Sequence, residues 1–218
     1  MTTRRRRPRP PALVGGLVLV LGTSVLGACG DDDGSSDLPR ADPPADASLD
    51  VEVEPVDAGL RITWTVTNDG DVPLLVFDGL DGDEAPGEPV QGAYVTGGDG
   101  SDLGGGDGVA EISRRLFPVP DDLEGVQQYG TNASELAPGA TASQTENVSL
   151  PLQDAPAASE GGGDEVPDDP SEAVFCLGVG PQDDVDATES VTPGHWFVPH
   201  GEGNVAHQTL LCSDPFEV

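Results

Sequence analysis

The sequence predicts an all-β fold, an antiparallel sandwich of short strands joined by long acidic loops rich in glycine and proline. Three observations predict it. Apolar and polar residues alternate with a period of two in the first segments after residue 48. Turn-forming residues interrupt the apolar runs at short intervals over the rest of the chain. No window of helical length has its apolar residues spaced along one face of a helix.

The first three strands are predicted where the pattern is clearest. Residues 49–54 alternate aliphatic and acidic side chains, and residues 60–67 repeat the alternation with Trp64 on the apolar face. Asp69-Gly70 is then expected to form a tight hairpin turn with positive backbone angles. The chain is expected to return through residues 73–77 as a continuous apolar strand.

The later elements are short and are bounded by turn residues. Residues 121–129 are expected to form one or two helical turns at most. Three segments rich in glycine, proline and acid are expected to be surface loops, and the last of them is expected to be disordered; they are residues 78–88, 97–108 and 153–172. The later candidate strands are residues 89–96, 109–117, 141–152, 173–179, 194–198 and 205–212.

The first 28 residues have the composition of a secretory signal peptide. Five arginines precede an apolar run, residues 12–28, that contains no charged residue. That run is at the short limit for a helix that spans a bilayer of about 30 Å, and no second apolar stretch follows it. The sequence therefore predicts export through a cleaved signal peptide. Prolines after the arginine pairs favour the general secretion route over the twin-arginine route.

The apolar run ends in Leu26-Gly27-Ala28-Cys29, which resembles the lipobox of bacterial lipoproteins. In that family the signal is cut just before the cysteine, whose thiol carries a diacylglyceryl group. The resemblance implies cleavage between Ala28 and Cys29 and lipidation of Cys29. Because two acyl chains suffice for stable anchoring, the expected location is the extracytoplasmic face of the cell membrane. The alternative is an ordinary signal peptide with an incidental cysteine.

The chain after Cys29 is strongly acidic. All forty acidic residues lie there, against four arginines and no lysine, which gives this part a net charge of −36. Such a surface repels nucleic acid and anionic lipid head groups, so the sequence excludes a nucleic-acid partner. The acids concentrate in glycine- and proline-rich stretches, where they are expected to be hydrated rather than assembled into a binding site.

Composition divides the chain into three parts. Residues 1–28 are the predicted signal peptide. Residues 29–48 are predicted to be a lipidated N-terminus and a disordered tether, because they have almost no apolar side chains to bury. Residues 49–218 are predicted to fold as one β-sandwich domain, in agreement with the length that a single hydrophobic core supports.

Two phrases resemble immunoglobulin-like modules of exported bacterial proteins. They are Trp64-Thr-Val-Thr-Asn68-Asp-Gly-Asp-Val-Pro73 and Leu136-Ala-Pro-Gly-Ala140. The resemblance implies an immunoglobulin-like sandwich, with the first phrase in a hairpin and the second at a corner before a later strand. It implies nothing about function, since such a fold hosts many unrelated activities.

Cys176 and Cys212 are the two cysteines that remain once Cys29 is assigned to the lipid anchor. An exported protein meets an oxidising environment, so a disulfide between them is predicted. Its expected role is structural, because the cysteines of a redox site are usually close in sequence and these two are far apart.

His195, His200 and His207 are the only histidines, and all lie in the last quarter of the chain. Their spacing places them on no common face of a helix or strand, so a folded loop would have to assemble them around zinc or copper(II). They are the candidate metal ligands, but three unrelated surface residues are the expected arrangement. No cofactor is predicted.

Two acidic loops are candidates for weak calcium binding. Residues 97–102 match half of a calcium-binding nonapeptide repeat, but that site needs stacked copies. The acids of the other loop lack the ligand spacing of an EF-hand; they are Asp78, Asp81, Asp83 and Glu84.

Arg114 and Arg115 stand out because basic residues are so scarce after Cys29. Neighbours on a strand point to opposite faces, and at least one guanidinium is expected to pair with a carboxylate at the sheet edge or on a loop. The alternative is that one of the two guanidinium groups binds an anionic ligand. Trp196 is expected to pack into the sandwich rather than offer an exposed aromatic contact.

The sequence contains no catalytic motif. A nucleophile elbow, a zinc-protease helix, a phosphate loop and a dinucleotide fingerprint are all missing, and no enzyme activity is expected. The leading hypothesis is a membrane-anchored extracytoplasmic lipoprotein that binds an envelope protein or supports an envelope assembly. The alternative is a lipoprotein that binds a metal ion or a small ligand.

Overall fold

The computed structural model describes residues 44–79, 93–97, 108–118, 130–153 and 166–218. These residues form strands in two sheets and one short helix, so the predicted all-β sandwich is confirmed. The elements are β1 (Ala47–Val56), β2 (Gly59–Asn68), β3 (Leu74–Val76), β4 (Tyr94–Gly97), β5 (Val109–Arg114), β6 (Gly130–Leu136), β7 (Thr141–Ser149), β8 (Glu172–Pro181), β9 (Thr188–Glu189), β10 (His195–Pro199), α1 (Glu202–Val205), β11 (Thr209–Cys212) and β12 (Phe216–Glu217).

Sheet A consists of β1, β2 and β7 in that spatial order, and both strand pairs are antiparallel. The apolar and polar residues that alternate in the sequence of β1 and β2 lie on the inner and outer faces of this sheet, respectively. The central strand β2 turns its threonines outward and buries Leu60, Ile62, Trp64 and Val66, which are at most 4 % exposed. β1 begins at Ala47, slightly before the start predicted from the pattern.

Sheet B is larger and is organised around β8. Its path is β4-β5-β8-β3-β6-β10-β9, and β11 and β12 also pair with β8. β5 and β3 lie along one edge of β8, and β12 and β11 lie along the other. With neighbours on both edges and packing on both faces, β8 is buried from Ala173 to Gly180. This arrangement explains the nearly continuous apolar run of its sequence.

One strand pair of sheet B departs from the predicted antiparallel sandwich. β5 and β8 run parallel, with Val109 opposite Glu172 and Arg114 opposite Leu177. A parallel pair needs a long crossover connection, and the chain supplies one because β6 and β7 lie between these strands in sequence. The sheet is therefore mixed.

The main core fills the space between the two sheets. Trp64 of sheet A and Phe175 of sheet B are its largest side chains. A second cluster covers the opposite face of sheet B, and β3 contributes to both clusters because neighbouring residues alternate between its faces. The second cluster contains Leu75, Phe77, Leu116, Ala133, Val185, Val198 and Val205.

The hairpin predicted at Asp69-Gly70 is wrong. β2 lies in sheet A and β3 lies in sheet B, so the connection crosses between the sheets. Gly70 is not among the glycines with positive φ, and its N–H donates to the side-chain oxygen of Asn68 at 3.1 Å in an Asx turn. The physical reason lies in β3, whose continuous apolar sequence needs burial on both faces. As a hairpin partner of β2, β3 would have faced water on one side.

Asn68 joins the two phrases on which the immunoglobulin-like resemblance depends. Its side-chain amide donates to the carbonyl oxygens of Val72 at 2.8 Å and Leu136 at 3.0 Å. Its backbone N–H donates to the carbonyl oxygen of Ala140 at 3.0 Å, and its own carbonyl accepts from Gly139 at 2.9 Å. Gly139 has a φ of 70°, which favours glycine at this corner. The first phrase thus begins the connection from sheet A to sheet B, and the second forms the corner whose backbone groups bond to Asn68.

Cys176 of β8 and Cys212 of β11 form the predicted disulfide. They are register partners in an antiparallel pair, and their Cα atoms are 4.1 Å apart. By the chain-entropy argument, closing a loop of 36 residues stabilises the fold by about 4 kcal/mol. The bridge fastens β11 to the central strand of sheet B.

Several short strands were not predicted, and several predicted loops lie outside the described residues. β6, β9 and β12 carry too few apolar residues for a period to be visible. The expected helical turn at 121–129 is outside the described ranges, as are most of the predicted loops. The described end of the first loop is not exposed, because Gly79 is buried and donates its N–H to the carbonyl of Asn132 at 2.9 Å.

Replacing Asn68 with alanine is expected to lower the free energy of unfolding by about 2 to 4 kcal/mol. The substitution removes the side-chain bonds to two carbonyls and one N–H, and each buried group left without a partner costs about 1 to 3 kcal/mol. Asn147→Ala is the matched control, since Asn147 is exposed on β7, and its expected effect is below about 0.5 kcal/mol. Urea unfolding followed by tryptophan fluorescence measures both. Equal effects would contradict the role given to Asn68.

Candidate functional site

Both arginines singled out from the sequence are buried, and each is paired with a buried glutamate. Arg114 and Arg115 are 4 % and 7 % exposed. The nearest charged atoms are 2.7 Å apart in each pair, Arg114 with Glu146 and Arg115 with Glu111. The expected pairing with carboxylates is therefore present. Glu146 lies on β7, an edge strand of sheet A, although its carboxylate faces the interior, whereas Glu111 lies on β5 inside sheet B. The predicted location at a sheet edge is therefore correct for Glu146 and wrong for Glu111.

Arg114 points into the space between the sheets and connects them. Its Nη2 donates to Oε2 of Glu146, which belongs to β7 of sheet A. The indole N–H of Trp64 lies 3.5 Å from the other oxygen of the same carboxylate. The second terminal nitrogen of Arg114 donates to the backbone carbonyl of Asp78. One guanidinium thus links β5, β7 and the end of β3.

The carboxyl group of Asp78 lies near this network. Burial raises the pKa of Asp78 above its ordinary value, while a hydrogen bond from Ser134 and the positive charge of Arg114 act in the opposite direction. Burial is the largest of these effects. The residue that the sequence placed in an acidic, hydrated loop is therefore part of the packed structure.

Arg115 points to the opposite face of sheet B. Its Nε is 2.7 Å from Oε1 of Glu111, four residues earlier on the same face of the strand. The guanidinium carbon lies 4.5 Å from the centre of the Phe117 ring, a cation–π contact. The ring of Phe117 in turn meets the imidazole of His200 edge to face, with centroids 5.9 Å apart.

His200 is held as a neutral acceptor in this cluster. The backbone N–H of Phe117 donates to Nδ1 of His200 at 3.3 Å. Burial lowers the pKa of His200 to about 4, because a charged imidazole would lose its hydration. At neutral pH the ring therefore accepts a hydrogen bond and carries no charge.

Polar groups around Glu111 define what this face of sheet B can hold. The hydroxyl groups of Thr96 and Ser113 are buried there and have no hydrogen-bond partner among the described residues. Thr96 is the register partner of Glu111, and Ser113 lies between Glu111 and Arg115 on the same strand. Because Arg115 neutralises Glu111, these oxygens suit a neutral polar group such as water rather than a metal cation.

The three candidate metal ligands are not brought together. His195 is exposed on β10, His200 is partly buried beside Phe117, and His207 is exposed after α1. Within the described ranges, no group of three or more His, Cys, Asp or Glu side chains could hold a metal ion. Most of the acids proposed for calcium lie outside those ranges, and Asp78 is engaged as described above.

Trp196 is a packed side chain, as predicted, but it packs against the second cluster on the far face of sheet B rather than between the two sheets. It is partly buried beside Val198 and the other side chains of that cluster. Its indole N–H is buried and has no hydrogen-bond partner in the described part of the chain. The residue is therefore a packing element of β10.

The outer face of sheet A carries an ordered array of exposed polar side chains. Threonine and serine hydroxyls of β2 and β7 meet across the strand pair at 3.0 to 3.1 Å and form three successive rungs. Beside them, β1 presents a row of exposed carboxylates. The face comprises Asp50, Glu52 and Glu54 of β1, Arg61, Thr63, Thr65 and Thr67 of β2, and Thr141, Ser143, Thr145 and Asn147 of β7.

The remaining predictions concern the N-terminal part of the chain. Ala28 and Cys29 lie outside the described residues, so the lipobox interpretation stays a prediction. Among the residues that are described, no helix is long and apolar enough to cross a membrane.

Sequence reasoning missed Glu111 and Glu146, the partners of the two arginines. Both residues did carry a signal. Glu146 lies on the same face of β7 as the buried Val148, and Glu111 interrupts an apolar run in β5. An acid on a buried strand face needs a positive partner, and the chain after Cys29 has only four arginines.

Comparison of the chain with protein-family models, with curated proteins and with solved structures gave no match.

Arg114→Met is expected to lower the free energy of unfolding by about 3 to 5 kcal/mol, because it leaves the Glu146 carboxylate buried without its counter-charge. Arg61→Met is the matched control. The Arg61–Glu54 pair is 3.5 Å long, with side chains 49 % and 69 % exposed, and exposed pairs contribute less than about 1 kcal/mol. Chemical denaturation measures both.

A second variant separates the loss of the ion pair from a general loss of packing. Arg114→Met combined with Glu146→Leu removes both charges, and the double variant is expected to regain much of the lost stability. A double variant less stable than Arg114→Met alone would contradict this assignment.

His200→Asn is expected to reduce the loss of stability in mild acid. The folded chain holds His200 neutral down to about pH 4, whereas the unfolded chain binds a proton near pH 6.5. The contribution of His200 is therefore fully present above pH 6.5 and is lost as the pH falls towards 4, at up to about 1.4 kcal/mol per pH unit. Asparagine keeps an acceptor for the Phe117 N–H but does not titrate.

Urea unfolding at several pH values between 4.5 and 7 measures how the free energy of unfolding changes with pH in the parent chain and in His200→Asn. His207→Asn is the matched control, because His207 is exposed. If His200→Asn leaves the pH dependence of the parent unchanged, His200 is not the group responsible.

Proposed function

We propose that this chain is a lipid-anchored extracytoplasmic binding module, without catalytic activity, that contacts another envelope protein through the outer face of sheet A. The observation that carries the proposal is the division of polar groups between interior and surface. Arg114 and Arg115 are used in ion pairs that close the fold. Ordered hydroxyls and carboxylates instead face the solvent on sheet A.

The geometry of that face suits protein recognition. Its hydroxyl groups can each donate and accept, and the rungs hold them at fixed positions, so little side-chain entropy is lost on binding. The carboxylates of Asp50, Glu52 and Glu54 run beside the rungs and favour a partner with basic side chains. A net charge of −36 after Cys29 would speed the approach of such a partner.

The proposed location depends on the N-terminal sequence. The lipobox-like run that ends in Cys29 supports a lipid anchor, and β1 of sheet A begins eighteen residues later in the sequence, at Ala47. A partner in or on the membrane is the natural one for a domain anchored in this way.

One experiment tests the anchor and the face separately in cells that express the full chain. For the anchor, Cys29→Ser is expected to abolish incorporation of labelled fatty acid and release the protein from the membrane fraction. Thr23→Ser, a substitution in the signal outside the lipobox, should leave both unchanged. Continued membrane retention of a processed Cys29→Ser protein would refute the anchor.

For the face, Thr65→Arg is expected to abolish recovery of the partner by affinity capture from detergent-solubilised envelope. Thr65 lies at the centre of the rungs, and an arginine there breaks its bond to Ser143 and projects from the surface. Thr192→Arg makes the same change at an exposed turn and should retain the partner. Loss in both variants, or reproducible recovery of no protein by the parent chain, would contradict the proposal.

A further inference from the structure

The two edges of sheet A differ in how they meet solvent. β1 forms one edge and exposes Asp50, Glu52 and Glu54 along it. β7 forms the other edge, and within the described residues β2 is the only strand that pairs with it. Its exposed side chains carry no charge; they are Thr141, Ser143, Gln144, Thr145, Asn147 and Ser149. Its one ionisable residue, Glu146, is buried and paired with Arg114.

An edge strand leaves a row of N–H and C=O groups open to pairing with another strand. Proteins usually block such edges with charged side chains, prolines, bulges or short strands. β1 shows the first of these devices. β7 shows none, because it is nine residues long and regularly paired to β2, with neither proline nor an exposed charge. Among the strands that the structure describes, the asymmetry indicates that the β7 edge is open to a partner strand.

The charge of the chain narrows the choice of partner. With forty acidic residues against nine arginines, two copies repel each other over most of their surface. The β7 edge is a place where copies can approach without opposing charges. Its neutral hydroxyl and amide side chains also offer no negative charge with which a cationic strand could pair. A strand of a second copy of this chain can therefore pair with the β7 edge without bringing exposed charges together.

We propose that β7 pairs antiparallel with β7 of a second copy, so that two sheets A join into one sheet of six strands. A two-fold axis at Thr145, the middle residue of β7, places all nine residues in the ladder and makes the contact isologous. Thr145 then faces Thr145 of the second copy, and Ser143 faces Asn147. The hydroxyl rungs of the outer face continue across the new strand pair.

Disulfide trapping tests this pairing in the exported full-length protein. Thr145→Cys places two thiols opposite each other, with Cα atoms about 5 Å apart, within the range that a disulfide requires. Thr63→Cys is the matched control, because Thr63 bonds to Thr145 on the same face but lies one strand further from the edge. Its copies would be about 14 Å apart.

With mild oxidation and non-reducing electrophoresis, the Thr145→Cys dimer is expected to exceed the Thr63→Cys dimer at least tenfold. Intact-mass measurement confirms that the Cys176–Cys212 bridge is kept. Equal trapping of the two variants would indicate random collision and overturn the proposal, and so would trapping of neither.

A charge variant tests the edge without a crosslink. Ser143→Asp with Asn147→Asp copies the acidic protection of β1 onto β7 and is expected to weaken self-association of the purified protein at least tenfold in sedimentation equilibrium. Ser48→Asp with Val56→Asp adds the same charge at the β1 edge, where both residues are exposed, and should leave association unchanged. A parent chain that stays monomeric at high concentration, or equal weakening in both variants, would overturn the proposal. Because Cys29→Ser protein can be used throughout, the outcome does not depend on the anchor or on the envelope partner.

Discussion

The fold depends on the ion pair between Arg114 and Glu146. The two side chains come from different sheets, are each 4 % exposed and approach to 2.7 Å. Burying either charge alone would cost several kcal/mol, and the pair is tolerable because further groups complete its hydrogen bonds. Trp64 reaches the carboxylate and the Asp78 carbonyl accepts from the guanidinium. Four separate segments of the chain must therefore be in place at once, which fixes how the two sheets face each other.

The scarcity of positive charge makes this arrangement more demanding. The acids after Cys29 outnumber the arginines forty to four, yet two of those arginines are used inside the structure. Each neutralises a glutamate that would otherwise be excluded from a buried strand face. The two pairs lie on opposite faces of sheet B because Arg114 and Arg115 are consecutive. The Arg114 pair links the two sheets, and the Arg115 pair joins two residues of one segment on the other face of sheet B. The other acids of the described strands are mostly left in water, where they repel other acidic surfaces.

Local patterns predicted what depends on local physics. The alternation in β1 and β2, the continuous apolar run of β3 and the burial of β8 follow from which faces are covered, and the sequence shows them. The disulfide followed from redox environment and from Cys29 being assigned elsewhere. The hairpin at Asp69-Gly70 failed because the turn residues are compatible with either a hairpin or a crossover, and the decision is made by Asn68 bonding to residues 136–140, far away in sequence. Glu146 was missed for the same reason, since its partner Arg114 lies 32 residues away in the sequence. Glu111 is only four residues from Arg115, and it was missed although it interrupts the apolar run of β5.

A high net charge and a self-pairing edge are physically compatible. Repulsion between exposed charges is screened over about 8 to 10 Å at physiological salt, so the total charge governs distant approach and the charges at the point of contact govern docking. On sheet A those local charges differ between the edges, acidic along β1 and neutral along β7. The acidic surface therefore opposes association in most orientations, whereas at the neutral β7 edge backbone groups of two copies can meet. The excess of acidic residues thus disfavours the other orientations of two copies and leaves the pairing of β7 with β7, although no acidic side chain takes part in that contact.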